Sequence, residues 1–120
     1  MKVLFVCTRN VARSRMAESL LGEMLHQQGH HEARSVGMAS DASRRLTTRD
    51  LVWADVVAVM EEPHRTLIEA NWPNHGHKVV VLGVVDEYDP EEPELRGVLA
   101  PKIRALIERL EVDLASGAPR

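Results

Sequence analysis

Residues 2–18, KVLFVCTRNVARSRMAE, decide how this chain is read. Val3 to Val6 form an apolar run with no polar alternation. Such a run suits a strand buried on both faces, as in a parallel sheet. It ends on Cys7, the protein's single cysteine, and a polar loop from Thr8 to Arg13 follows. Ala17, Leu20, Leu21, Met24 and Leu25 then recur at helical spacing, predicting a helix from about Ser14 to Gln28 that Gly29 closes. The unit is strand, loop, helix, with a thiol where the strand gives way to the loop.

Working outward, the same alternation continues. Ala33 to Met38 reads as a second strand and Ala39 to Arg45 as a loop, with Arg44-Arg45 a solvated turn. Thr47 and Asp50 have the spacing of a capping box, which predicts a short helix over Thr48 to Ala54. Asp55 to Met60 (DVVAVM) reads as a third buried strand. Pro63 suits the first turn of a helix over 63–71 that ends near Trp72-Pro73. Lys78 to Val85 is almost continuously β-branched and reads as a fourth strand. Tyr88 to Pro93 is irregular and acidic. Leu95, Val98, Leu99, Ile103, Leu106, Ile107, Leu110 and Leu114 mark a C-terminal amphipathic helix that Pro101 should kink or restart. Ala115 to Arg120 reads as a frayed tail. Alternating strands and helices predict an α/β fold, a parallel sheet with helices on both faces. The 120 residues suggest one domain, 1–120, without repeats or a linker.

Composition excludes some function classes. The net charge is −3, which leaves no basic excess for a nucleic-acid or anionic-membrane partner. No stretch is long enough to span a bilayer, and Val3 to Cys7 is too short for a signal-peptide core. A lone cysteine forms neither an internal disulfide nor a cysteine-based zinc site. The default reading is a cytoplasmic protein. The histidines at 26, 30, 31, 64, 75 and 77 show no metal-ligand spacing and read as solvated; His64 lies on the active edge of the sheet, where contact with the site is an alternative to the favoured surface position at a helix start. Trp53 is expected against the sheet, and Trp72 at the end of the helix before it.

In an open parallel sheet, ligands bind beyond the carboxyl ends of the strands. A loop from Thr8 to Arg13 can turn backbone N–H groups inward there, and the helix that follows adds its positive end. This makes an anion cradle that favours a thiolate over a thiol. Arg13 supplies a permanent charge and a planar fork matched to two phosphate oxygens. Ser14 can donate to the sulfur when it leaves. Cys7-x5-Arg13-Ser14 therefore holds a nucleophile, an oxyanion clamp and a sulfur stabiliser. Phosphoryl transfer to sulfur also needs an acid for the leaving group. Asp86 follows the fourth strand on the edge that carries Cys7, and Asp89 is close behind it.

These residues resemble the low-molecular-weight protein tyrosine phosphatases. Val3 to Thr8, Asn10, Arg13-Ser14 and Met16-Ala17-Glu18 are similar to that family's strand, C-x-G-N-x-x-R-S-P loop and M-A-E-like helix start. Ser35-Val36-Gly37, Leu46-Thr47 to Ala54-Asp55 with Met60, and Asp86-Glu87-Tyr88 resemble later family segments, so the likeness covers nearly the whole chain. It implies a three-layer α/β/α sandwich with a four-stranded parallel sheet. It implies hydrolysis of phosphomonoesters, on a protein or a small molecule, through a phosphocysteine and without metal or cofactor. Cys7 would be the nucleophile, Arg13 the clamp and Asp86 the general acid and then base. Thr8, Arg9, Asn10, Val11, Ala12, Arg13 and Ser14 would surround the phosphate, with Tyr88 at the pocket mouth.

The departures are specific. Arg9 replaces the loop glycine, Arg15 a proline, and Glu87 the proline of D-P-Y, which makes Asp89 a rival acid. Glu61 stands where an aspartate often follows the methionine. Ala12 stands where many relatives carry a second cysteine, so no intramolecular disulfide protects Cys7. The missing cysteines also speak against the related thiol-dependent arsenate reductases. The Met38 to Leu46 stretch is shorter than usual, which removes a pocket wall. Aromatic residues are 3% of the chain, leaving little to stack on a phosphotyrosine ring. An enzyme and a binding module that captures phosphoproteins or oxyanions with little turnover are both compatible with this pattern.

Overall fold

The computed structural model describes residues 2–8, 16–20, 32–84 and 93–116. Four parallel strands form one sheet in the order β2-β1-β3-β4: β1 (Lys2–Cys7), β2 (Glu32–Gly37), β3 (Val56–Val59) and β4 (Val79–Val81). β1 is central. Val3 lies opposite Ala33 of β2 on one side and Val56 of β3 on the other. The helices are α1 (residues 16–20), α2 (Thr48–Trp53), α3 (Glu62–Asn71) and α4 (Pro93–Ser116), with a 3-10 helix over Pro73–Lys78 between α3 and β4.

The two-residue period of a strand sorts β1 between two cores. Val3, Phe5 and Cys7 pack with Ala17 and Leu20 of α1 and with Leu95, Leu99, Ile103, Leu106 and Leu110 of α4. Leu4 and Val6 pack with Leu51 of α2 and Ile68 of α3 on the opposite face. The layers are therefore α1/α4, sheet and α2/α3, the α/β sandwich that the alternation implied. Val3, Leu4, Phe5 and Val6 are all fully buried. Each such side chain contributes about 1.5–3 kcal/mol of transfer free energy, which is why an unbroken apolar run belongs at the centre.

Local signals set several boundaries. Thr47 and Asp50 form the reciprocal capping box and start α2. Pro63 lies in the first turn of α3, where its missing N–H costs no helical hydrogen bond. Trp72 ends α3, with its N–H donated to the Ile68 carbonyl at 2.7 Å and its indole Nε1–H to Thr48 Oγ1 at 2.9 Å. Trp53 packs on the α2/α3 face, and the Arg34 guanidinium lies 4.1 Å from its ring centroid. Arg44 and Arg45 are more than a solvated turn. The Arg44 carbonyl accepts the Gly37 N–H at 2.8 Å and its guanidinium lies 3.6 Å from Asp50, while Arg45 bridges Gly37. The short connection after β2 is thus folded back onto the strand it leaves.

One expectation is corrected, and one of two alternatives is excluded. The fourth strand is three residues rather than the eight of Lys78 to Val85. Its partner β3 has only four residues, and Gly83 at φ 76° leaves the extended region. Two bonds carry the connection onward: Leu82 N–H to the Val59 carbonyl and Val84 N–H to the Met60 carbonyl, both 2.8 Å. Lys78 belongs to the 3-10 helix, as do His75 and His77. Pro101 also does not restart the last helix, because α4 runs continuously from Pro93 through it. An interior proline costs about 3 kcal/mol. Leu95 and Leu99 before it, and Ile103, Leu106 and Leu110 after it, are buried on one face and outweigh that cost. Pro101 and Gly97, whose carbonyl loses its partner, are both exposed, so water can satisfy that carbonyl. The predicted first helix is described over 16–20 only. Its remainder, Val85 and the tail beyond Ser116 lie outside the described residues.

Candidate active site

Strand order places the site. From β1 the chain moves to one side, to β2; β3 and β4 then lie on the other. The gap between the carboxyl ends of β1 and β3 is the topological switch point, where an open α/β sheet leaves a crevice. Cys7 is the last residue of β1 and is 3% exposed. Backbone bonds pin the end of β1 from both flanks. On the β2 side, the Cys7 carbonyl accepts the Met38 N–H at 2.9 Å and the Thr8 carbonyl accepts the Ala39 N–H at 2.8 Å. On the β3 side, the Val6 carbonyl accepts the Met60 N–H at 3.0 Å. The sulfur-bearing residue is thus held on a rigid central strand at the point where the polar loop begins.

Two further elements reach this edge. Met60, buried, leads from β3 into Glu61 and the N-terminus of α3. The backbone Glu61 N–H donates to His64 Nδ1 at 3.1 Å, and His64 Nε2 lies 3.2 Å from Thr8 Oγ1. His64 is 5% exposed, which corrects its placement on the surface. The sequence offers both placements, and the surface one is favoured there because histidine near a helix start is usually solvated. Its signal was the position: Pro63 in the first turn makes His64 the residue whose side chain reaches back to the residue before the helix. The second element is the continuation of β4. Val84, 1% exposed, is bonded to Met60 and brings the chain to the same edge two residues before Asp86.

Of the predicted site residues, Cys7 and Thr8 stand together at the end of β1. Arg9, Asn10, Val11, Ala12, Arg13, Ser14, Asp86, Tyr88 and the rival Asp89 lie outside the described residues. The framework around them is described. α1 follows the loop, its Glu18 accepting from Ser35 Oγ on β2 at 3.3 Å. The shortened 38–46 segment folds back through Leu46 N–H to the Gly37 carbonyl at 2.9 Å. A cleft of about 570 Å³ opens beside it on the α2/α3 face, lined by Met38, Arg45, Leu46, Leu67 and Trp72 among others.

Other polar clusters sit apart from the site. Among the described residues, no three His, Cys, Asp or Glu side chains converge to hold a metal ion. His75 belongs to the 3-10 helix that precedes β4, at the opposite end of the strands. Desolvation, and then the charges of Lys78 and His77, lower its pKa from the usual 6.5. Among the described residues, no helix is long and apolar enough to cross a membrane.

Comparison with known proteins agrees with this geometry. Residues 2–48 match the family model for low molecular weight phosphotyrosine protein phosphatase. The chain is 32% identical over 106 residues to the low molecular weight protein-tyrosine-phosphatase PtpB of Staphylococcus aureus, covering 72% of this chain and 76% of that one. It is 26% identical to the YwlE arginine phosphatase of Geobacillus stearothermophilus, with a TM-score of 0.77 over 99% of this chain and 98% of that one. A second YwlE arginine phosphatase structure, a cysteine-to-serine mutant with a phosphorylated active-site serine, has a TM-score of 0.80 and 26% identity, covering 94% of this chain and 97% of that one. With its single cysteine at the carboxyl end of the central strand, at the sheet's switch point, this chain belongs to the low-molecular-weight protein tyrosine phosphatase family and is a cysteine-based phosphatase.

Proposed function

We propose that the chain removes phosphoryl groups from phosphorylated proteins through a phosphocysteine at Cys7. The observation that carries this is the position of Cys7, last in β1, with its own carbonyl bonded by the Met38 N–H and that of its neighbour Val6 by the Met60 N–H. In this reading the sulfur attacks phosphorus, an S–P bond forms, and the bond to the leaving group breaks. Arg13 and the N–H groups of Thr8 to Ser14 hold the equatorial oxygens, where charge gathers in the transition state. Asn10 shapes the loop, and Ser14 donates to the sulfur. Asp86 protonates the leaving group, then takes a proton from the water that displaces the sulfur and releases inorganic phosphate. Tyr88 lines the mouth. Residues 1–120 act as one domain, and a reducing compartment, the cytoplasm, suits the reactive thiol of a chain that has no second cysteine for a disulfide.

On the substrate, we infer that the phosphorylated residue need not be tyrosine. The chain offers few aromatic rings, and the 38–46 segment is tucked against Gly37 rather than standing as a wall. The relatives named above include an arginine phosphatase as well as a tyrosine phosphatase. Both leaving groups need the same acid, for an oxygen in one case and a nitrogen in the other.

Turnover of para-nitrophenyl phosphate, then of phosphotyrosine, phosphoarginine and phosphoserine peptides, tests the reading. Loss of turnover in Cys7→Ser, with a reduced rate in Asp86→Asn, supports it. Phosphate bound without turnover by the wild type would make the chain a binding module instead. An intact Asp86→Asn beside an impaired Asp89→Asn would move the acid to Asp89.

A further inference from the structure

The Cys7 strand end is tied to α3 by a side chain that the phosphatase chemistry above does not use. His64 Nδ1 accepts the Glu61 backbone N–H at 3.1 Å, so that nitrogen offers a lone pair and carries no proton. Neutral imidazole then has its hydrogen on Nε2, directed at Thr8 Oγ1 3.2 Å away. The hydroxyl of Thr8 accepts, and its own hydrogen remains available to donate. The Thr8 carbonyl is already engaged by Ala39 N–H at 2.8 Å. The first residue of the loop is therefore gripped twice: main chain from the β2 side, side chain from α3.

We propose that His64 is a positioning residue for phosphoryl transfer, acting through Thr8 to fix the conformation in which the loop leaves Cys7. This rests on the phosphatase reading of the site. Three features set His64 apart from a helix-start residue that serves stability alone. It is 5% exposed. Its second nitrogen crosses 56 positions of sequence to reach the residue next to the nucleophile. Its tautomer is set by a backbone donor, so the proton faces Thr8 by construction.

The two nitrogens can be separated by substitution. In His64→Asn the amide oxygen replaces Nδ1 and keeps the Glu61 N–H bonded, but nothing replaces Nε2. In His64→Gln the longer amide replaces the Nε2 donor and gives up the bond to Glu61. With para-nitrophenyl phosphate, His64→Asn should lower kcat about tenfold, the loss of one neutral hydrogen bond in the transition state, with a smaller change in KM and little change in Tm. His64→Gln should restore most of kcat while losing Tm. Thr8→Val should match His64→Asn, and the double variant should be no worse than either, because both remove the same bond. Nitrogen-15 NMR of the wild type should show His64 with its proton on Nε2. A proton on Nδ1, an unchanged kcat in His64→Asn, or additive losses in the double variant would each overturn the proposal.

Failure of the phosphatase reading would look different, since wild type and variants alike would lack turnover. His64 is then judged by the NMR tautomer and by how well inorganic phosphate protects Cys7 from iodoacetamide. Half-protection should need more phosphate in His64→Asn than in the wild type, and equal protection would overturn the positioning role.

Discussion

Asp50 should be the most costly single carboxylate to remove among those described, and the cost can be worked from its contacts. Its side chain is 8% exposed. Oδ2 accepts the Thr47 N–H at 3.0 Å and the Thr47 hydroxyl at 2.8 Å, while the Asp50 N–H returns a bond to Thr47 Oγ1 at 3.3 Å. Oδ1 faces Arg44 at 3.6 Å and Arg34 at 4.0 Å. Asp50→Ala breaks the capping box, worth about 1 kcal/mol, and removes the charged acceptor of the Thr47 hydroxyl, worth about another 1–2 kcal/mol. The two guanidinium groups are 49% and 38% exposed, so each pair adds no more than a few tenths of a kcal/mol. The sum is about 2–3 kcal/mol. For 120 residues the unfolding entropy is about 250 cal/mol/K, so Tm should fall by about 8–12 °C. Urea unfolding followed by far-UV circular dichroism measures the free energy, and calorimetry the Tm. Asp50→Asn should recover part of the loss, since its amide oxygen still accepts from Thr47. A loss below about 0.5 kcal/mol in Asp50→Ala would refute the idea that this carboxylate organises the start of α2.

Three further outcomes follow from particular residues. Leu99→Ala, at a fully buried position of α4, should destabilise by about 2–5 kcal/mol in the same urea experiment, because the packed α1/α4 face cannot collapse into the space. Gly83→Ala forces a Cβ into φ 76° and should cost about 1–2 kcal/mol, read by calorimetry, although Lys102 Nζ at 3.8 Å leaves the side chain room. His75 has its pKa lowered in the fold, so the unfolded chain binds the extra proton first as acid is added. Stability is therefore complete above the unfolded value of 6.5 and falls as pH drops from there through the lowered value. His75→Gln should flatten that fall in a series of urea titrations from pH 7.5 to 5, and an unchanged slope would count against it.

The sequence alone determined the architecture, because the interactions behind it are local or periodic. Val3 to Val6 had to be a doubly covered strand, since no alternation offered a polar face. Thr47 with Asp50, and Pro63, fixed two helix starts within a few residues. The place of Cys7 at the end of the first strand, on the edge where ligands bind an open sheet, was legible because strand ends in parallel sheets all open on one edge. Tertiary structure decided what depends on partners far along the chain. The fourth strand stops at Val81 because β3 is short and Gly83 turns away, a limit that β-branched content could not disclose. α4 continues through Pro101 because the buried residues on both sides outweigh one lost backbone bond. His64 reaches Thr8 only because the sheet order places β3, and so the start of α3, beside β1. A pattern of residues reports the field a segment experiences along its own length; which neighbour completes a hydrogen bond is fixed only when strands take their order.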